Sequence, residues 1–251
     1  MDYAIKTVGL TKIFSQNNLP KFLLGRSKGV EVNLAVNNIN LQINRGQVFG
    51  LIGPNGAGKS TLMRMLCCLI LPSKGSAQVA GYDILREERQ IKSSIGLVGG
   101  EERSFYWRLT GRQNLDFFAS LYNIPAQKAK LKIDSLLDLL EIENPDKKFQ
   151  EYSTGTKQRL AISRSLLNDP KILFMDEPTK SLDVWCAQKL RSFIKDKLVK
   201  QQKVTVFLAT HNLEEAEYLC DRTALMVNGE IRSCGLMEDI RKDILACSSP
   251  I

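Results

Sequence analysis

The sequence holds one histidine, His211, in 251 residues. A metal centre built on several histidines is therefore excluded. The cysteines are Cys67, Cys68, Cys186, Cys220, Cys234 and Cys247, and none forms a C-x-x-C pair. Neither a zinc ribbon nor a thioredoxin-like motif is indicated. Disulfide frameworks belong to short secreted chains, so reduced thiols are expected. Long apolar runs are lacking too. The longest strongly apolar stretch is Met65 to Leu71, against about 20 residues for a membrane span. The opening MDYAIKTVGLTKIF has no basic segment leading into an apolar one, so a signal peptide is not expected. Repeats and low-complexity stretches are absent.

What is present is ordinary for a globular domain: 43% hydrophobic and 25% charged residues. The balance is basic, with 35 Lys and Arg against 27 Asp and Glu, a formal charge of +8. Nucleic acid, an anionic membrane surface and phosphate-bearing ligands all remain open as partners. Residues 4–15 read as a short strand followed by polar residues. Residues 16–30 read as a surface excursion rich in Asn, Gly, Lys and Arg. Val32, Leu34, Val36, Ile39, Leu41 and Ile43 alternate as half-buried strands do. Val48 to Ile52 reads as a strand buried on both faces. A helix is expected to start near Lys59 and to run from Leu62 to Leu71, stopped by Pro72.

Further on, helical spacing marks residues 111–143, with a break near Pro125. Ile133, Leu136, Leu137 and Leu140 form one apolar stripe there. Ile172 to Met175 and Val204 to Ala209 are short apolar runs, each preceded by helical sequence. That alternation predicts an α/β sheet. Asn228-Gly229 between two apolar runs predicts a hairpin. The chain is expected to be a single domain over 1–251, with a helical subdomain at about 105–165.

Gly53-Pro54-Asn55-Gly56-Ala57-Gly58-Lys59-Ser60 fits G-x-x-x-x-G-K-[ST] between the buried strand and the helix. Glycines let backbone N–H groups wrap phosphate oxygens without Cβ clashes. The helix N-terminus adds donors and partial positive charge. Lys59 is placed to reach the β and γ phosphates, and Ser60 to ligate Mg²⁺. Downstream, the strand Ile172 to Met175 ends in Asp176 and Glu177. Asp176 is a candidate Mg²⁺ ligand, and Glu177 a candidate general base for an attacking water.

With these residues the chain resembles the nucleotide-binding subunit of an ABC transporter, from Thr11 to about Gly235. The signature region is Tyr152-Ser153-Thr154-Gly155-Thr156-Lys157-Gln158-Arg159. Ser181-Leu182-Asp183 looks like the D-loop, Thr210-His211 like the switch histidine, and Phe14 like the aromatic that stacks on adenine. The resemblance implies a P-loop NTPase core with a mostly parallel sheet, an antiparallel β subdomain and an α-helical subdomain. It implies ATP and Mg²⁺ as cofactors, with nucleotide contacts from Gly53 through Thr61.

Two subunits, expected as a homodimer, would sandwich two ATPs. Lys59 of one and Ser153 and Gly155 of the other would hold each γ-phosphate. His211 would contact the γ-phosphate and orient Glu177, and Asp183 would link the two sites. There are two departures from the pattern. Thr154 and Thr156 stand where LSGGQ has a glycine and the glutamine, a variant similar to that of subunits pairing with exporter-type permeases. The glutamine expected near Ile95-Gly96 is missing; Gly100 or Glu101 takes its place, and Glu101 is preferred as a further Mg²⁺ ligand.

Phe105, Tyr106, Trp107 and Arg108 are expected either to fold onto the helical subdomain or to receive a cytoplasmic helix of a transmembrane permease. The resemblance favours the second. Residues 16–30, with Lys21, Arg26 and Lys28, are expected either to be a solvated loop or to resemble an insertion seen in some exporters of lipid-linked polysaccharides. The expected function is ATP hydrolysis driving a separate permease, an exporter, from the cytoplasmic face of the membrane with peripheral contact. The alternative is an ABC ATPase acting on nucleic acid or ribosomes. One nucleotide domain, no sustained heptads and no RNA-binding motif argue against it. A non-hydrolysing regulatory binder is disfavoured because both Glu177 and His211 are present.

Overall fold

A computed structural model describes residues 3–15, 32–99, 104–180 and 182–248. The strands are β1 (Tyr3–Ser15), β2 (Val32–Ile39), β3 (Gln42–Asn44), β4 (Val48–Ile52), β5 (Lys74–Val79), β6 (Tyr82–Asp83), β7 (Ile95–Val98), β8 (Ile172–Asp176), β9 (Thr205–Thr210), β10 (Arg222–Val227) and β11 (Glu230–Gly235). The helices are α1 (Lys59–Leu66), α2 (Glu88–Ser94), α3 (Gly111–Leu121), α4 (Ala126–Leu139), α5 (Thr154–Leu166), α6 (Val184–Ser192), α7 (Leu213–Leu219) and α8 (Met237–Ser248). Helix α6 continues as a π-helix over Phe193–Gln201.

Two sheets form. One is antiparallel, in the order β2-β1-β5-β6 with β3 beside β1. The other runs β11-β10-β4-β9-β8-β7, parallel from β10 to β7. Side chains of its central strands alternate between two faces. Phe49, Leu51, Phe174 and Phe207 point toward the antiparallel sheet and pack with Ile5, Leu10 and Val36. Val48, Leu173, Met175, Val206 and Leu208 point the other way, into a core shared with Leu115, Ile133 and Leu160 of α3, α4 and α5. Burial on both faces explains why β4, β8 and β9 read as continuous apolar runs. Burying each such side chain contributes about 1.5–3 kcal/mol.

The registers align the C-terminal ends of four strands. Ile52 pairs with Thr210, Asp176 with Ala209, and Val98 with Met175. The loops after β4, β9, β8 and β7 therefore leave from one edge, where open α/β sheets bind ligands. Strand β9 lies between the phosphate-loop strand β4 and the carboxylate strand β8.

Local signals act as expected at most boundaries. A capping box of Thr110 and Gln113 starts α3. Pro125 caps α4 after the break that follows α3. Asn228 and Gly229 turn the β10–β11 hairpin at φ 49° and 81°. One expectation is corrected: α1 ends at Leu66, not at Leu71. Cys68 takes a left-handed φ of 55°. The amides of Leu69 and Ile70 then both turn back onto the Arg64 carbonyl. This satisfies a C-terminal acceptor and stops the helix well before Pro72.

Candidate nucleotide site

The phosphate loop takes its shape from close backbone contacts. A Cβ on Gly53 would lie 2.1 Å from the Met226 carbonyl oxygen. One on Gly58, at φ 101°, would lie 2.2 Å from the Ala35 oxygen. Only glycine fits at either position. The Gly229 amide donates to the Ala57 carbonyl at 2.9 Å, and the Asn37 amide to the Gly229 carbonyl at 2.8 Å. The hairpin and β2 thus hold the loop from outside. Helix α1 opens on Gly58 without a side-chain cap, so its first amides face the loop as donors. Lys59 is 6% exposed. Its Nζ donates to the carbonyls of Gly53 at 2.7 Å and Pro54 at 3.0 Å. Burial lowers its pKa, and the carboxylates of Glu177 and Asp176 oppose that shift.

Those carboxylates end β8. Glu177 leaves the strand at a left-handed φ of 52°, and its amide donates to the Ala209 carbonyl at 2.8 Å. Its Oε1 lies 2.7 Å from Nδ1 of His211, the residue that follows β9. The Glu177 side chain is 18% exposed and that of His211 50%. A carboxylate held by an imidazole at a cleft mouth has the geometry of a general base.

A cleft of about 1000 Å³ joins these parts, lined by Phe14, Asn55 to Thr61, Asp176, Glu177 and the Asn228-Gly229 turn. Phe14 is 39% exposed, with Lys12 Nζ 5.0 Å from its ring centroid. Among the described residues no three His, Cys, Asp or Glu gather as a metal cage. The donors present, Ser60 and Asp176, are hard oxygens. They suit a Mg²⁺ that takes its remaining ligands from phosphates and water.

The signature residues lie at another helix start. Ser153 caps α5, its hydroxyl accepting from the Thr156 amide at 3.2 Å and standing 3.0 Å from the Thr156 hydroxyl. Asp183 caps α6, accepting from the Cys186 amide at 2.9 Å. That backbone bond holds the Asp183 carboxyl below its ordinary range. A Cβ on Gly155 would meet Cys186 Sγ at 3.3 Å, so the signature and the D-loop helix are neighbours. Among the described residues, Ser153, Gly155 and Asp183 do not line the large cleft. Gly155 instead borders a second cleft of about 510 Å³ with Leu182 and Trp185. Gly100, Glu101, Ser181 and the 16–30 stretch lie outside the described residues.

Phe105 is buried, stacked on Phe149 at 4.6 Å and edge-on to Phe118 at 5.7 Å. For this residue, folding onto the helices is correct. Tyr106 and Trp107 are each 51% exposed. Sequence reasoning missed Glu215, buried near the ends of β8 and β9, and Arg191, whose charge acts on it. Asn212-Leu213-Glu214-Glu215 reads as a solvent-facing helix cap. The only hint in the sequence is its position just after His211.

A phosphate loop opening a helix, with a carboxylate–histidine pair at the ends of the next two strands, defines a nucleotide-hydrolysing P-loop ATPase. The family model described as "ABC transporter" matches residues 36–180. The chain belongs to that family and is an ATP-binding, ATP-hydrolysing subunit that powers a transporter. It is 34% identical over 207 residues to the ABC transporter ATP-binding protein NatA of Bacillus subtilis (strain 168), covering 82% of this chain and 83% of that one. It is 35% identical over 216 residues to the daunorubicin resistance ATP-binding protein DrrA3 of Streptomyces coeruleorubidus, covering 83% of this chain and 66% of that one. The ATP-binding cassette MJ0796, solved as a dimer in a post-hydrolysis state with ADP and Pi, superposes with a TM-score of 0.79. It is 26% identical, over 93% of this chain and 98% of that one.

Proposed function

We propose that this chain hydrolyses ATP in a head-to-tail pair of identical subunits and so drives export through a separate transmembrane permease. The observation that carries the reading is the Glu177–His211 contact at 2.7 Å, at the mouth of the cleft that holds the phosphate loop. Phe14 would stack on adenine. The loop from Gly53 to Thr61 and Lys59 would hold the phosphates. Ser60 and Asp176, with Glu101 as a further candidate, would hold Mg²⁺, which offsets charge on the β and γ phosphates. Glu177 would accept the proton of the attacking water. In its protonated form His211 would donate Nδ1–H to Glu177 and Nε2–H to the γ-phosphate.

Ser153 and Gly155 of the partner subunit would close the site; in this chain their neighbours Thr154, Lys157 and Gln158 border the cleft from the helical side. Asp183, next to Gly155 through Cys186, would pass the state of one site to the other. Half-exposed Tyr106 and Trp107 would meet a cytoplasmic helix of the permease. Two features support export: the resemblance of the signature to exporter-type subunits, and a relative named for daunorubicin resistance. No helix among the described residues is long and apolar enough to cross a membrane. That fits peripheral attachment at the cytoplasmic face, where basic residues gain about 1 kcal/mol each near anionic lipid.

The test is reconstitution in vesicles with the permease that co-purifies in detergent. Glu177→Gln should lower hydrolysis on the order of 10²- to 10⁴-fold and stop transport. Tyr106→Ala with Trp107→Ala should stop transport while hydrolysis and ATP affinity persist. Parent-level transport by the double variant would overturn the docking assignment, and parent-level hydrolysis by Glu177→Gln would overturn the mechanism.

A further inference from the structure

Beneath the two loops that carry Glu177 and His211 lies a carboxylate with no part in the mechanism above. Glu215 is 0% exposed. It is the third residue of α7, where a capping box would send its side chain back to the amide of the capping residue Asn212. Here that amide donates to the Thr210 hydroxyl at 3.1 Å instead. The Asn212 side chain accepts from the Glu215 amide at 3.1 Å. Half of the box forms and the other half does not, which frees the Glu215 carboxyl to point inward.

Its surroundings come from three segments. The Thr210 hydroxyl belongs to the last residue of β9, next to His211, the Thr179 hydroxyl to the Glu177 loop, and Arg191 to α6. Both hydroxyls approach the carboxyl, but neither Oε1 nor Oε2 makes a hydrogen bond of good geometry. Nε of Arg191 is likewise buried without a hydrogen-bond partner. Burial pushes the Glu215 carboxyl up, Arg191 pulls it down, and the nearby Glu177 adds to the rise. A buried acid with loosely met oxygens is expensive to keep in a folded core. It is also adaptable, because small loop shifts can tighten either contact. Above it, Glu177 holds a left-handed backbone that persists only where its surroundings over-determine it.

We propose that Glu215 is a positioning residue for ATP hydrolysis, bracing the Glu177 loop and the His211 loop against each other and against Arg191 of the D-loop helix. The assignment rests on the roles proposed for Glu177 and His211. Because Asp183 caps α6, the same brace ties the catalytic pair to the face where the second subunit would sit.

The experiment compares steady-state hydrolysis, binding of a fluorescent ATP analogue and thermal unfolding for the parent, Glu215→Ala, Glu215→Gln, Thr179→Val and Glu177→Gln. Glu215→Ala should lower kcat roughly 10- to 100-fold, as small misplacements of catalytic groups do. KM and analogue affinity should stay within about threefold. Glu215→Gln keeps the size and the acceptor oxygen and should return to within about fivefold of the parent. Thr179→Val keeps the shape but removes one hydroxyl, and should lower kcat with KM unchanged. It carries the test if Glu215→Ala does not fold. Parent-level kcat in Glu215→Ala, or in Thr179→Val where Glu215→Ala is unfolded, would overturn the proposal. So would an equal loss of kcat and affinity in both Glu215 variants. Parent-level hydrolysis by Glu177→Gln would instead overturn the underlying mechanism, which keeps the two failures apart.

Discussion

Helix α1 opens on a residue with no side chain, while α5 opens on Ser153, whose hydroxyl already accepts from the Thr156 amide. Both ends are assigned to phosphate, yet they are finished differently. At α1 the donors are bare, the lysine is buried and the loop is clamped by the β10–β11 hairpin. That end is a binding site within its own chain. At α5 the Ser153 hydroxyl is engaged with both the hydroxyl and the amide of Thr156. A phosphate arriving there must displace bonds the chain makes with itself. The difference teaches which end should bind first: at α1 the helix amides are uncapped and only Lys59 must exchange its two carbonyl partners, whereas at α5 the cap itself must open, as expected of an end offered to a second subunit.

Three substitutions break or sharpen this contrast. The largest effect is expected for Lys59→Ala. Losing a buried charged donor of about 1.5–3 kcal/mol should weaken ATP binding by up to roughly 100-fold at dilute protein. Equilibrium titration checks it, and an equally large loss in Ser153→Ala would erase the contrast. Next is Gly58→Ala, which places a Cβ against the Ala35 carbonyl at positive φ. It should destabilise the chain by about 1–3 kcal/mol and lower Tm by several degrees. Calorimetry showing an unchanged Tm would mean that the loop is not clamped. Smallest is Ser153→Ala, which should remove about 1 kcal/mol of capping. It should leave ATP binding by dilute protein intact and reduce only hydrolysis at concentrations where subunits pair. Hydrolysis at the parent rate would detach Ser153 from the site.

Much of the fold follows from the sequence because its signals are local. Val48 to Ile52 reads as a doubly buried strand, and Asn228-Gly229 as the one turn whose backbone both residues tolerate. The phosphate loop is legible because its glycines, lysine and helix start are contiguous. Other features depend on distant partners. The early end of α1 comes from Cys68, a residue with no special preference for left-handed backbone. The π-helix after α6 has no compositional mark. Glu215 looks like surface charge, and its burial exists only because the β8 and β9 loops converge above it. The contact between Gly155 and Cys186 likewise joins residues 31 apart in sequence.

The left-handed backbone of Glu177 also restricts which residues position 177 can ever accept. A φ of 52° excludes β-branched side chains and favours glycine, asparagine and aspartate. Of these, only aspartate keeps the charge, and it is one methylene short of the reach that brings Oε1 to His211. Glycine or asparagine would ease the backbone but remove the base, aspartate would ease it and leave the carboxylate short of His211, and glutamine keeps the reach and the strain but not the charge. Sequence variation at this position should consequently separate active subunits from inactive ones with few intermediates.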